Sequence, residues 1–355
     1  MNQRTACAWL ERFAMGCWLG MSAMAGDAQT DGAKSLGKSK DLFELSPAEL
    51  AQLEITPINV LGSHMHLRGQ WMAGYRFMYT DMRGNLDGTR SVSVSDVLQN
   101  YPVAHTRMTM EMHMLEVMFA PSDKLTFMAM GDYKHNLMDH QMRTGETFTT
   151  RSEGFGDVSL MALYNVFGNV REPGHRLVLN GGISLPSGSI NERFQGRRLE
   201  YSMQLGSGTV DLIPGVTYLG QAADWAWGAQ ALFTVRLGEN DNHYRMGDGY
   251  RLSAWGNYRV TEWFGPSLRL DWRDWDNVHG ADPEFNPATN PAFDGQKQRG
   301  RQLDLLMGLN FYVPHGVLKG NRLSIEGGMP VYQSLAGPNL KTDWLITVGW
   351  SYTFN

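Results

Sequence analysis

Three features of the 355-residue sequence predict an all-β fold: a transmembrane antiparallel up-and-down β-barrel of about 12 strands. First, about twelve segments alternate large apolar residues with small or polar ones. This is the pattern of a strand that meets an apolar medium on one face and a polar one on the other. Second, no apolar run reaches the roughly 20 residues that a spanning helix needs, so a membrane location requires strands. Only a closed barrel of strands then satisfies every backbone group in lipid. Third, the connections alternate between short and long, the asymmetry typical of outer-membrane barrels.

The chain begins with a segment of secretory character. Arg4 and Arg12 supply positive charge, Phe13 to Met24 are mostly apolar, and Ala23-Met24-Ala25 offers a cleavage site, so residues 1–25 read as a signal peptide. Both cysteines, Cys7 and Cys17, lie within it, and the mature chain would hold neither a disulfide nor a thiolate metal site. Residues 26–66 read as a flexible leader with one short helix at about 46–54. Ser46 is a good N-cap, Pro47 suits the first helical position, Glu49 completes a capping box, and Pro57 stops the helix. Residues 45–56 also resemble the short motif that precedes the plug of some TonB-dependent receptors. Residues 42–56 are therefore either a docking element for a periplasmic protein or a plain connecting helix.

Residues 67–355 are the expected barrel. The first strand places Trp71, Ala73, Tyr75, Phe77 and Tyr79 on one face. A methionine-rich segment at 105–119 follows, then alternating runs at 125–133, 158–166, 177–183, 210–218, 225–237, 250–260, 268–272, 303–313 and 323–331. The last strand runs from Trp344 to Phe354, with every even position large and apolar. Short connections fall at 120–123, 168–174, 220–224, 261–262 and 314–320. Long polar ones fall at 80–104, 138–154, 186–207, 238–248 and 278–301, and a shorter sixth spans 334–341. An even strand number with short inner turns puts both termini in the periplasm of a bacterial outer membrane, with outer-membrane lipid around the wall. The net charge of −5 carries no basic patch, which argues against nucleic acid as a partner.

With the apolar face outward, the opposite face lines a lumen. Its candidate solute-contacting residues are Arg76, Asp157, Asp211, Arg236, Arg251, Arg269, Asp271, Arg273, Asp304 and Glu326. Two readings of these mixed charges stand side by side. They form a polar pore that selects small solutes, or they neutralise one another and fill a narrow barrel.

Methionine is the other unusual feature: 18 of the 22 lie beyond the signal peptide, and 14 of those fall between Met65 and Met161. Met108, Met110, Met112 and Met114 share one face of the second strand, and Met128 and Met130 lie on the inward face of the third. If the second-strand methionines point inward, Glu111 and His113 face lipid; if outward, Leu115, Val117 and Phe119 face the lumen, and a bulge would reconcile the two. Thioethers and imidazoles suit Cu(I) or Ag(I) as a transported ion, with His64, His66, His113, His135 and His140 as further ligands. The alternative is that methionine serves as adaptable apolar filler in place of leucine. No resident cofactor and no catalytic residue is expected, since no strand brings Ser and His together on one face; His105 and Asp139-His140 stand alone. An outer-membrane hydrolase ranks behind a transporter and behind a structural barrel with a periplasmic partner.

Three segments carry a family resemblance: Glu153-Gly154-Phe155-Gly156-Asp157-Val158 at a strand start, Gly182-Ile183-Ser184-Leu185-Pro186-Ser187-Gly188-Ser189 at a strand end, and Asp211-Leu212-Ile213-Pro214-Gly215-Val216-Thr217-Tyr218. Over most of residues 68–354 the sequence resembles the outer-membrane transporter group named for the MetA pathway of phenol degradation. The resemblance implies an outer-membrane barrel that moves a small solute of unestablished identity. The methionine-rich first third departs from that group's general pattern.

Overall fold

The structure, a computed structural model, describes Pro57 and residues 60–62, 64–222 and 224–354. The signal-peptide segment, the helix expected at 46–54 and the docking element at 42–56 lie outside these residues. In chain order the elements are β1 (Trp71–Gly88), β2 (Arg90–Val92), helix α1 (Val94–Asn100), β3 (Val103–Ser122), β4 (Leu125–Met142), β5 (Thr147–Phe155), β6 (Val158–Phe167) and β7 (His175–Leu185). Two short strands, β8 (Arg193–Phe194) and β9 (Arg197–Arg198), and a 3-10 turn at Tyr201–Met203 follow. Then come β10 (Val210–Gln221), β11 (Trp225–Leu237), β12 (Tyr244–Arg245), β13 (Gly249–Tyr258), β14 (Phe264–Trp275), β15 (His279–Gly280), β16 (Gly300–Tyr312) and β17 (Asn321–Phe354).

Eleven of these strands pair in sequence order, each antiparallel to the next, and β17 pairs back with β1 to close the ring; β2 and β5 extend β1 and β4 outside it. The 34-residue β17 doubles back on itself. Residues 321–335 pair with β16, and residues 335–354 pair with β1. The wall is therefore twelve strand widths around, because β17 supplies two of them. No sheet edge is left open, which is how a barrel satisfies its backbone without water. Among the described residues no helix is long and apolar enough to cross a membrane.

All short connections lie at one end of the barrel and the long ones at the other. Strands reach further into the long-connection end than the sequence indicates: β1 runs on to Gly88, β4 to Met142, and β5 occupies 147–155. The expected coil at 334–341 is ladder throughout. Beyond the apolar band the outer face meets water while the inner face, buried beneath the loops, carries polar residues such as Asp81, Asn85, Thr150 and Ser152, so alternation fades from the sequence while backbone pairing continues.

The outer face carries an apolar band whose residues are unusually exposed for their type, among them Leu115, Val117, Leu160, Leu179, Leu212, Leu252, Leu270 and Leu309. Aromatic pairs rim it. Trp71–Phe119 and Trp225–Tyr258 sit toward the short turns, and Tyr79–Trp344 and Tyr133–Phe155 toward the long loops, with ring centroids 4.5 to 5.3 Å apart. Such girdles mark the two membrane interfaces of a barrel.

Register decides the direction of the methionines. Met112 is opposite Met78, Met114 opposite Arg76 and Met118 opposite Met72. Directly opposed residues share a face, and Met72, Arg76 and Met118 are all buried inside. Glu111 and His113 consequently face outward, and no register shift interrupts 107–119 in the pairing of β3 with β4, so the bulge considered from sequence does not lie among the methionines. The outward polar groups lie near the girdle closer to the long loops: His113 Nδ1 is 2.7 Å from the Tyr75 hydroxyl, and Glu111 is 3.7 Å from His135.

Candidate functional site

The interior has three parts, and residues 60–67 make the first. The sequence places 60–66 in the leader, but they lie inside the short-turn end of the barrel. Val60 and Met65 pack in one buried cluster with Met72, Met118, Met128, Met130, Met161, Leu163, Val178, Leu219 and Trp255. Polar wall residues hold the segment's backbone: Gln230 Nε2 donates to the Leu61 carbonyl (2.7 Å), Asn180 Nδ2 to that of Gly62 (3.2 Å), and the His66 N–H donates to Thr126 Oγ1 (3.3 Å). Gly62 has φ +58°, and a Cβ there would sit 2.8 Å from the Leu163 side chain, so glycine is required on both counts. A cavity of about 20 Å³, room for one water, remains between the segment and Met72, Arg76, Glu116 and Met128.

His64 and His66 both belong to this plug. The His64 ring nitrogen Nε2 lies 3.3 Å from Met72 Sδ, and the two imidazoles meet edge to face at 5.1 Å. Burial pushes His66 down to about 4 and, with the charges of His66, Arg322, Arg76 and Arg176, holds His64 well below the usual histidine range. Both rings are therefore neutral at pH 7.

The second part is a ladder of ion pairs on β13, β14, β16 and β17. Arg269 makes a two-pronged contact with Glu326 (2.6 and 3.1 Å) and reaches Asp271 at 3.1 Å. Arg251 binds Asp271 and Arg273 binds Asp304, each at 2.7 Å. On β1 and β3, next to β17, Arg76 pairs with Glu116, and on β10 and β11 Asp211 pairs with Arg236. Asp157 accepts from the backbone N–H of Gly188 (2.9 Å) and of Ser207 (2.8 Å), so it anchors the loop between β7 and β10. Of the two readings of the inward charges, this geometry matches mutual neutralisation. Arg251, Arg273 and Arg236 keep 31, 39 and 21% of their side-chain surface exposed, and they alone of the arginines proposed from sequence retain much accessible surface.

The third part is a cap of loops at the opposite mouth. The 186–209 loop folds inward, where Leu199 and Met203 pack with Met108 and Met138. Tyr201 stacks edge-on against Tyr244 and Phe285, and Arg193 grips Glu284 at 2.6 Å, tying three loops together. The methionines thus form two buried groups, one around the plug and one under the cap, with Met110 and Met112 half-buried between them.

Within the cap lies a cluster that no pattern in the sequence indicates. A register shift between His105 and Arg107 turns His105 inward, toward its ladder partner His140. Glu200, just ahead of the 3-10 turn, brings Oε1 to 3.4 Å from His105 Nε2 and 3.6 Å from His140 Nε2, and all three side chains are at most 4% exposed. Burial alone would raise the Glu200 pKa, but the two imidazoles outweigh it and hold the carboxyl well below its ordinary range. The bulge and the 60-residue separation are tertiary facts, and the only sequence signal was two unremarkable histidines near strand ends.

A closed antiparallel barrel with an apolar outer band, aromatic girdles and a polar, plugged interior defines the class: an outer-membrane-type β-barrel. The sequence profile of the family described as "Putative MetA-pathway of phenol degradation" matches residues 70–326, and the chain belongs to that family. No curated protein matches the sequence. Among solved structures it is similar to an outer membrane channel from Pseudomonas putida F1, with 12% identity, TM-score 0.61, and coverage of 85% of this chain and 100% of that one. It also matches the toluene transporter TodX of P. putida at 11% identity and TM-score 0.40, covering 87% of this chain and 92% of that one.

Proposed function

We propose that this protein is a channel of the bacterial outer membrane that passes a small solute when residues 60–67 leave the lumen. The observation that carries the reading is the way the plug is held. Three backbone groups are bound by side chains of the wall, so the segment docks through a few separable contacts on a barrel that is closed without it. Both termini of the barrel domain then face the periplasm, where residues 42–56 would meet a protein partner. The lumen charges are largely satisfied by one another, and the walls beside the plug carry methionine and leucine among paired polar side chains. This combination suits a small neutral or weakly polar solute better than a strongly charged one.

Planar-bilayer recording tests this. The wild type is expected to open rarely, whereas the double variant Asn180→Ala/Gln230→Ala, which removes two of the three docking bonds, should conduct in most recordings. Absence of current and of liposome flux in both, from protein that is folded, would return the barrel to a structural role.

One observation favours a second reading, Cu(I) or Ag(I) as the transported species. A neutral imidazole faces a thioether at 3.3 Å beside a small cavity, a soft-ion donor pair. Competition against a chromogenic Cu(I) chelator should then show tighter binding by the wild type than by His64→Gln/Met72→Leu. Equal affinity leaves the methionines as packing.

A further inference from the structure

We propose that His105, His140 and Glu200 form a binding site for a divalent transition-metal ion of the zinc class, which staples the 186–209 loop to the barrel wall. The site is independent of the plug and of whichever solute the lumen passes.

The spacing argues for it. Four tetrahedral ligands at zinc–nitrogen and zinc–oxygen distances of about 2.0–2.1 Å lie about 3.3–3.4 Å from one another. Glu200 Oε1 lies 3.4 and 3.6 Å from the two Nε2 atoms, and the three candidate ligand atoms all fall within 4.8 Å of each other. Those separations are too long for charge-assisted hydrogen bonds, which run about 2.7–2.9 Å. Correspondingly, Glu200 Oε1 is buried and makes no hydrogen bond. A buried carboxylate oxygen without a donor is costly, and a cation between the three atoms would remove that cost.

The surroundings prepare the ligands. Phe148 lies flat against His140, with centroids 4.5 Å apart and planes within 4°, which sets the ring's orientation. Asn290 accepts the Ala292 N–H through Oδ1 (3.0 Å), so its amide N–H₂ faces His105 Nε2 at 2.7 Å. In the tautomer that accepts from Asn290 this nitrogen presents a lone pair, the form a metal ligand needs. An entering ion takes the lone pair from Asn290, whose amide must rotate away. Two imidazoles and one carboxylate with an open fourth position are the donor set of zinc, and of the borderline ions that follow it.

The consequence is mechanical. His105 and His140 belong to the rigid wall, while Glu200 belongs to the inward-folded loop, so the ion would add three bonds across the junction. The loop would be pinned in the mouth when the metal is present and freer when it is absent.

The test uses the folded full-length barrel in detergent after treatment with a chelator. Titration with Co²⁺ should give one equivalent with the intense visible absorption of a four-coordinate site, and Zn²⁺ should bleach it. Glu200→Gln and His140→Ala should each weaken binding at least tenfold, in samples whose heat-modifiable gel shift shows a folded barrel. In the wild type alone, Zn²⁺ should slow protease cleavage within 186–209. Binding that is equal in the wild type and both folded variants overturns the proposal. Should the variants not fold, a wild-type loop whose cleavage is unchanged by Zn²⁺ overturns it as well. Neither outcome bears on whether the lumen conducts.

Discussion

The two sides of the lumen are filled by opposite physics. On β1, β3, β4 and β6 the interior is mostly methionine, leucine and the plug, with the one buried pair Arg76–Glu116; on β13, β14, β16 and β17 it is a ladder of arginines paired with carboxylates. The apolar side is held by many small contacts between flexible thioethers, none of them specific. The charged side is held by a few bonds, each of which leaves an unpaired buried charge if broken. The first can re-pack around a moving segment, and the second cannot. The N-terminal plug accordingly packs against the methionine side, its backbone held by Thr126 of β4, Asn180 of β7 and Gln230 of β11, while the ladder stays as the fixed part of the wall.

Mutation should expose this difference, with the largest effect in the ladder. Arg269→Ala removes the two-pronged partner of the buried Glu326 and one of the cations beside the buried Asp271, and should destabilise the barrel by about 3–5 kcal/mol. This would be read as loss of the heat-modifiable folded band or a lowered midpoint in urea. The paired change Arg269→Met/Glu326→Leu should recover much of the loss. If Arg269→Ala unfolds no more readily than the wild type, the ladder is not the rigid half.

On the other wall, Met128→Ala should cost about 2–4 kcal/mol by leaving a cavity in the plug cluster. Met128→Leu should cost less than about 1.5 kcal/mol, since its volume is nearly conserved. Should the leucine variant prove as damaging as the alanine one, the thioether itself would matter, and the soft-metal reading would gain.

A further effect concerns pH. Docked, His66 titrates near 4; released into water it would titrate near its ordinary 6.5. Between those values the released segment binds more protons than the docked one, so docking weakens as pH falls, by up to about 1.4 kcal/mol per pH unit. Channel opening should rise between pH 6.5 and 4 in the wild type and rise less steeply in His66→Gln. A flat profile in the wild type would mean that His66 stays in the same environment in both states.

Much of the wall was legible in the alternation of residues such as Trp71 to Tyr79 and Trp344 to Phe354, because a strand between lipid and lumen must repeat every second residue. Where both faces carry polar residues, as over much of 80–88 and 147–155, the same ladder left no alternation to read. The charges of Arg251, Arg269, Asp271, Arg273, Asp304 and Glu326 could be assigned to the interior, but which partner each takes depends on cross-strand register and on diagonal reach, which no single strand contains. The direction of Met108 to Met118 was open for the same reason: the segment has polar residues on one face and charge on the other, and only its pairing with Met72 and Met78 decided the matter.

By itself, then, the sequence determined that the chain closes into a barrel, which face meets lipid, and that its first third is unusually rich in soft apolar side chains. Those properties follow from local periodicity and composition. Tertiary structure alone decided that residues 60–67 fill the lumen, that the charges neutralise one another, and that a bulge at residue 106 brings His105 to His140 beneath Glu200. Each of these joins groups far apart in the chain, and their meeting is set by closure of the ring and by how one loop folds into its mouth.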